Sequence, residues 1–280
     1  MIYTIDTEKY ADRMKSYVRR ACGLDINLKN PSTIQDKLCW LNIYEPMTLK
    51  TTCADKIKVH DYCKDKLGID LCVPIINTYR NVNEIDWNNL PDRFVIKCNH
   101  GSGMNIIVSN KASFDKNGSI LKLNRWMNTD FSMVNGFEAH YHDIERMIFA
   151  EEYIEQAGGI PKDYKFLCFN GEPKYVEVIG NRFSHRKYMN YYDMDFNFQS
   201  ITRNDFPNNP GIHDEIPESF NEMKEYARTL SEDFRFVRVD FYEIDGRIYL
   251  GELTFTPGAF AFTYRDPKDH VKVGSMLDIT

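Results

Sequence analysis

Residues 235–255 read RFVRVDFYEI, then Asp245-Gly246, then RIYLGELTF. Two β-prone runs around an Asp-Gly pair are a strong hairpin signal, and this hairpin constrains the fold more than any other stretch. Asp240 and Glu252 each sit inside an otherwise apolar run. A carboxylate buried there is costly unless it is paired or holds a metal. Whether the two share a face depends on the turn. A plain two-residue turn puts them on opposite faces, whereas a three-residue loop with Gly246 in a bulge puts them on one face. We expect the bulged form. Two carboxylates converging on one side of a sheet make an oxygen site suited to Mg²⁺ with a polyphosphate. Left separate, each would need its own ion pair, with Arg238 and Arg247 as the available partners.

The rest of the chain supplies more strands and several helices. Tyr10, Met14, Tyr17 and Val18 recur at helical spacing, so residues 1–50 read as mostly helical. The run 55–68 reads as a helix closed by Gly68, and 79–90 as a polar connection. Phe94–Lys97 and Ile106–Val108 are β runs, 111–146 reads as irregular and helical, and 147–154 is apolar before a Glu pair. A second hairpin is expected at DYKFLCF, Asn170-Gly171, PKYVEVIG. Residues 181–217 read as a polar, aromatic stretch and 218–232 as a helix. Strands and helices mix without regular alternation, which gives an α+β class.

Three further groups could carry chemistry. His100-Gly101-Ser102-Gly103 joins two strands, and glycines there free backbone N–H groups to surround an anion. The loop lacks the Lys and the strand-to-helix setting of a P-loop, and an ordinary flexible turn would look the same. Lys97 beside it favours an anion, since a Lys in an apolar strand either snorkels or meets a negative charge. Glu151-Glu152 lies at a strand end that could present backbone groups and one carboxylate to an adenine. Asp193-Met194-Asp195 has the D-x-D form of a glycosyltransferase metal site, but it follows the polar YMNYY and not an apolar strand.

Composition excludes several classes. With 35 Lys and Arg against 41 Asp and Glu in 280 residues, the net charge of −6 argues against a broad nucleic-acid-coating surface. The seven cysteines show no C-x-x-C pair, which speaks against a zinc knuckle or a disulfide framework. No run approaches a membrane span, and the opening residues lack a signal-peptide core, so a cytoplasmic protein is expected.

In chain order these pieces resemble the TupA-like ATP-grasp family, associated with cell-surface polysaccharide and teichuronopeptide. The resemblance runs from about Asp36 to Gly258. It rests on Asp55-Lys56, FVIKCNHGSG at 94–103, AEEYIE at 150–155, DYKFLCFNG at 163–171 and RVDFYEIDGRIYLGELTFTPG at 238–258. It implies an ATP-grasp fold: two α+β subdomains clasping ATP behind a short helical N-terminal segment. The expected divisions are 1–54 (helical segment), 55–90 (abbreviated front subdomain), 91–155 (lid with the glycine loop) and 156–280 (C-terminal subdomain with the metal site).

By the same resemblance Lys56 and Lys97 would hold ATP phosphates under the loop His100, Gly101, Ser102, Gly103. Glu151 would accept from the adenine amine, with the backbone of Glu152, Tyr153 and Ile154 on the ring edge and Asp163 on the ribose. Lys165, Arg238 or both would face phosphates, Arg238 with Lys97 as the catalytic cations. Asp240 and Glu252 would bind Mg²⁺. The superfamily's usual E-x-N ends here in Thr254, which puts a second metal ion in doubt. The implied activity is ATP-dependent carboxylate–amine ligation through an acyl phosphate. Its partners would be a small-molecule or sugar-linked carboxylate and an amine such as an amino acid, with peripheral contact to membrane-bound polysaccharide machinery at the inner face of the membrane. The alternatives are a glycosyltransferase using Asp193 and Asp195, or a non-catalytic ATP-binding protein. The front segment is too short for a full substrate domain. The acceptor side is therefore expected in 181–217, at Arg182, His185, Arg186 and Arg203 with Tyr191 and Tyr192, and after Gly258, with Thr254 beside it.

Overall fold

A computed structural model describes residues 7–154, 162–180 and 187–280. Four helices come first: α1 (Thr7–Cys22), α2 (Ile34–Tyr44), α3 (Thr48–Ala54) and α4 (Val59–Leu67). The start of α2 is fixed by a capping box, in which the Thr33 hydroxyl accepts from the Asp36 N–H and the Asp36 carboxylate from the Thr33 N–H, each at 3.1 Å. α4 starts later than the 55–68 run suggests, because residues 55–58 form a turn. It ends as expected at Gly68, whose φ of 73° is left-handed.

The next segment builds a four-stranded antiparallel sheet from β1 (Ile75–Tyr79), β2 (Phe94–Cys98), β3 (Asn105–Val108) and β4 (Ile148–Glu152), in the order β1-β4-β2-β3. Helix α5 (Lys116–Met127) covers it. Residues 79–90, which read as a polar connection, instead send Val82, Ile85, Trp87 and Leu90 into the core under this sheet. Their irregular spacing hid them, since coil burial has no period.

The third part is a six-stranded antiparallel sheet in the order β10-β9-β5-β6-β7-β8. Its strands are β5 (Asp163–Phe169), β6 (Glu172–Gly180), β7 (Tyr188–Tyr192), β8 (Phe198–Gln199), β9 (Phe236–Ile244) and β10 (Arg247–Thr254). α6 (Phe220–Ser231) and α7 (Pro267–Gly274) complete the chain. Phe166, Val176, Val237 and Val239 on one face of the sheet pack with α3, α4 and α6. Leu167, Tyr175, Tyr191 and Phe236 on the other face meet α1, α2 and α7. The YMNYY run is β7, buried at all five positions. Buried on both faces, it shows no alternation to betray a strand.

Register decides what the sheet can do. Asp245 and Gly246 have φ of 50° and 78°, Asn170 and Gly171 52° and 79°. Both hairpins thus close with two left-handed residues, as a type I′ turn requires. The turn after β9 is therefore the plain two-residue form, not the bulged loop expected at Gly246. The bulge lies further along: the register shifts between Leu250 and Glu252, and Gly251 is the extra residue. A Cβ on Gly251 would stand 2.6 Å from the Tyr242 ring. This shift sets Glu252 directly opposite Asp240. The first hairpin repeats the device, with Lys174 as its extra residue, and so sets Lys165 opposite Glu177.

Candidate active site

The two bulges align one continuous row across the six-stranded sheet: Gln199, Tyr191, Glu177, Lys165, Asp240, Glu252. Asp240 is 1% exposed, and Arg238 clamps it through two 2.6 Å bonds from Nε and Nη2. The Lys165 ammonium pairs with the same carboxylate. Burial alone would raise the Asp240 carboxyl, but these two cations hold it below its usual range. Arg238 responds in the opposite sense: despite burial, Asp240 raises its pKa further. Glu252 is looser. The Thr254 hydroxyl donates to it at 3.0 Å, Arg238 Nη2 lies 3.6 Å away, and the same nitrogen donates to Thr254 at 3.2 Å. Asp163 heads β5 opposite Tyr242, 3.9 Å from the Lys165 ammonium.

The four-stranded sheet brings its own cations to the facing side of the cleft. The Lys97 ammonium pairs with Glu151, two strand positions diagonal to it. Lys56 Nζ donates to the Gly101 carbonyl at 2.7 Å, and its N–H to the Asn99 carbonyl at 3.2 Å. Burial lowers the Lys56 ammonium pKa, and Glu252 across the cleft opposes this. His100 departs from its expected place. It is 1% exposed, its Nε2 lies 3.1 Å from the Trp126 carbonyl on α5, and burial lowers its pKa. The imidazole thus anchors the loop to the lid, while Ser102 lines the cavity. Gly101 must be glycine, since a Cβ there would lie 2.6 Å from the Phe131 ring. The Glu152 N–H already donates to Pro74 at 3.0 Å, Arg93 stacks 4.2 Å from the centre of the Tyr153 ring, and Ile154 is half-buried.

Two spaces meet at this charge cluster. The cleft between the sheets encloses about 80 Å³ and touches Lys56, Lys97, Glu151, Tyr242 and Glu252. A chamber of about 370 Å³ adjoins it, reaching Arg238, Glu252 and Thr254 from the side of Tyr17, Ser102, Glu138 and Thr256. Tyr141 lines both.

Sequence reasoning missed four of these residues. Glu177 lies on the charged row, yet only the Lys174 bulge brings it opposite Lys165. Asn99 was counted as part of the glycine loop, but every polar group it owns is engaged. Its side chain donates to Asp55 and to the Glu145 carbonyl, both at 2.9 Å, and accepts the Met147 N–H at 2.8 Å. Its backbone N–H donates to Met147 at 3.1 Å. Glu138 and Thr256 carried no signal.

Other expected positions fall elsewhere. Arg203 is buried against Asp205, with bonds of 2.9 and 2.5 Å, and over the Phe262 ring. Tyr191 and Tyr192 are core residues whose hydroxyls donate to Glu177 at 2.6 Å and Asp214 at 3.0 Å. Arg182, His185 and Arg186 lie outside the described residues. Asp193 accepts four bonds, from the N–H groups of Asp195 and Asn197 and the amides of Asn197 and Gln199. That is a turn cap and not a metal ligand. The cysteines are free, and His60, Asp70 and Cys72, which the spacing did not single out, come together beside α4.

Two antiparallel sheets with lysines on one side of a cleft and a carboxylate pair with its own cations on the other describe a site for a polyphosphate and a divalent cation. The donor set fits Mg²⁺: two opposed carboxylates, one only lightly held, with a hydroxyl beside them. The sequence model of the TupA-like ATPgrasp family matches residues 36–276, and the chain belongs to that family. It therefore has the ATP-grasp fold, with ATP as the nucleotide that such a fold clasps. No curated protein matches the sequence. Among solved structures, D-alanine–D-alanine ligase from Bacillus anthracis complexed with ATP is similar at 14% identity and a TM-score of 0.45, over 90% of this chain and 82% of that one. The Helicobacter pylori D-alanine–D-alanine ligase gives 18% and 0.48, over 87% and 69%. An L-amino acid ligase from Bacillus licheniformis gives 13% and 0.45, over 77% of this chain and 43% of its own.

Proposed function

We propose that the chain joins an amine to a carboxylate by way of an acyl phosphate, in the assembly or modification of a cell-surface polysaccharide of capsule, O-antigen or teichuronopeptide type. The observation that carries the chemistry is the row ending in Asp240 and Glu252, faced by Lys56 and Lys97. The polysaccharide role rests on the family alone. ATP as substrate suits the cytoplasm, at the inner face of the membrane where the acceptor is lipid-linked. Among the described residues no helix is long and apolar enough to cross a membrane.

Nucleotide-sized pockets run to about 300–1,000 Å³, so the sheets must part to admit ATP. Lys97 then exchanges Glu151 for a phosphate oxygen, and Glu151 is released to accept from the adenine amine. Lys56 turns from the Gly101 carbonyl to the phosphates, and Ser102 closes over them. Asp240 and Glu252 would hold Mg²⁺, which would supply charge neutralisation on the phosphates. Arg238, fixed by Asp240, presents Nη2 beside Thr254 to the transferring phosphoryl group. Such a prearranged donor is worth about 10²–10³ in turnover.

Melting curves with Mg·ATP and with Mn²⁺ plus UDP- or GDP-sugars test the reading. ATP should raise the melting point and the sugar nucleotides should leave it unchanged. The reverse ordering would restore the glycosyltransferase alternative.

A further inference from the structure

The chamber beside Arg238 contains a charge that the phosphate chemistry does not use. Glu138 is 5% exposed, and its carboxylate accepts from the Thr256 hydroxyl at 2.5 Å and the Asn135 amide at 3.1 Å. Both donors are neutral. Among the described residues no Lys, Arg or His nitrogen lies within 4.0 Å of it. Arg13 nearby is committed to the carbonyls of Met133, Asn135 and Gly136. The other carboxylate of the chamber is Glu252, and Arg238 is already bound to Asp240. A buried carboxylate without a counter-charge is destabilising, and its roughly four acceptor sites exceed the two donors it has. Burial pushes the Glu138 carboxyl pKa up, and the site is balanced by a proton or by an arriving cation that can supply one.

We propose that this chamber receives the amine substrate as its ammonium ion, with Glu138 as the anchoring carboxylate. The inference rests on the ligase reading and adds to it the charge and the place of the nucleophile: Glu138 would hold the ammonium and take one proton from it, and the free amine would attack the acyl carbon as inorganic phosphate leaves. About 370 Å³ accommodates an amino acid or an amino sugar, and the inner end of the chamber opens at Arg238 and Glu252, where the activated carboxylate would stand. The acceptor pocket is thereby walled by α1 through Tyr17, by Ser102 of the glycine loop and by Thr256 after β10. Of the two places where the sequence put the acceptor side, Thr254 and the residues at Gly258 and Ala259 line this chamber, and 181–217 do not among the described residues.

The test is thermal melting of the full chain with Mg·ATP, adding methylammonium, ethanolamine, glycine, L-lysine or glucosamine as hydrochlorides against matched NaCl. At least one amine should raise the wild-type melting point by about 2–4 °C, the size of a 1 kcal/mol effect in a chain this long. Glu138→Gln should abolish that shift and keep the Mg·ATP shift. Without ligands it should melt above wild type, because a merely structural carboxylate would instead lower the melting point when replaced. Glu138→Asp, which keeps the charge but withdraws it, should weaken the amine shift and serves as the second variant. An amine shift that survives in Glu138→Gln, a panel without effect on wild type, or a shift reproduced by Mg²⁺ alone would overturn the proposal. Loss of the Mg·ATP shift in wild type would instead bring down the ligase reading beneath it.

Discussion

Two pairs of cations flank the charge cluster and are held in opposite ways. On the four-stranded sheet the partly exposed Lys97 has one buried partner, Glu151, and Lys56, in the turn before α4, has a neutral carbonyl. On the six-stranded sheet Lys165 and Arg238 share one carboxylate that is all but sealed from water. On the proposed reading a cation that passes to a phosphate has to be lightly held, and one that fixes the geometry of a metal ligand has to be locked. The contrast separates a sheet built to exchange partners from a sheet built to keep them.

The sharpest way to break that contrast is Asp240→Asn. It leaves Arg238 and Lys165 buried without their anion, so unfolding by denaturant should show a loss of about 3–5 kcal/mol. ADP release should fall to background. The same carboxyl sets an acid limit. Its folded pKa lies below the unfolded value of about 3.9, so its contribution is fully present above that pH and is lost as pH falls towards the folded value. The variant should flatten that limb of the stability–pH curve.

Lys97→Met should do the converse. ADP release should drop about 10²–10³-fold, the scale of a removed electrostatic donor. Stability should fall less than in Asp240→Asn, because Lys97 is itself partly exposed and its removal strands one carboxylate where Asp240→Asn strands two buried cations. If it fell as far as in Asp240→Asn, the two sheets would not differ as described. Gly251→Ala comes next: a Cβ 2.6 Å from the Tyr242 ring and 3.2 Å from the Asp240 carbonyl forces the bulge to shift. A cost of about 1–3 kcal/mol is expected, with weaker Mg²⁺ dependence of the ATP melting shift. Replacing Asp193 and Asp195 together by Asn should have the smallest effect, leaving ADP release within about twofold, since Asn is as good a turn cap as Asp.

Much of this was legible in the chain. Asp-Gly and Asn-Gly pairs announced both hairpins, and carboxylates within apolar runs announced the opposed pair Asp240 and Glu252. Their shared face was anticipated, though the device that produces it was misplaced. Gly251 inside a strand was the available signal, because a strand glycine often marks a bulge. Lys174, the extra residue of the other hairpin, has no such mark, and Glu177 stayed unread with it. Glu138 could not be read at all. It lies in irregular chain between Ser132 and Tyr141, and nothing local tells a surface Glu from one enclosed by Thr256, more than a hundred positions away.

Asn99 joins the turn at Asp55-Lys56, the end of β2 and the approach to β4 through one side chain and its backbone. Lys56 itself stands between α3 and α4, whose Cys53, Ala54 and Val59 pack in the core of the six-stranded sheet. Asn99 is thus a cross-tie between the layers of the two sheets, and it holds the turn that carries Lys56 against the end of the strand that carries Lys97.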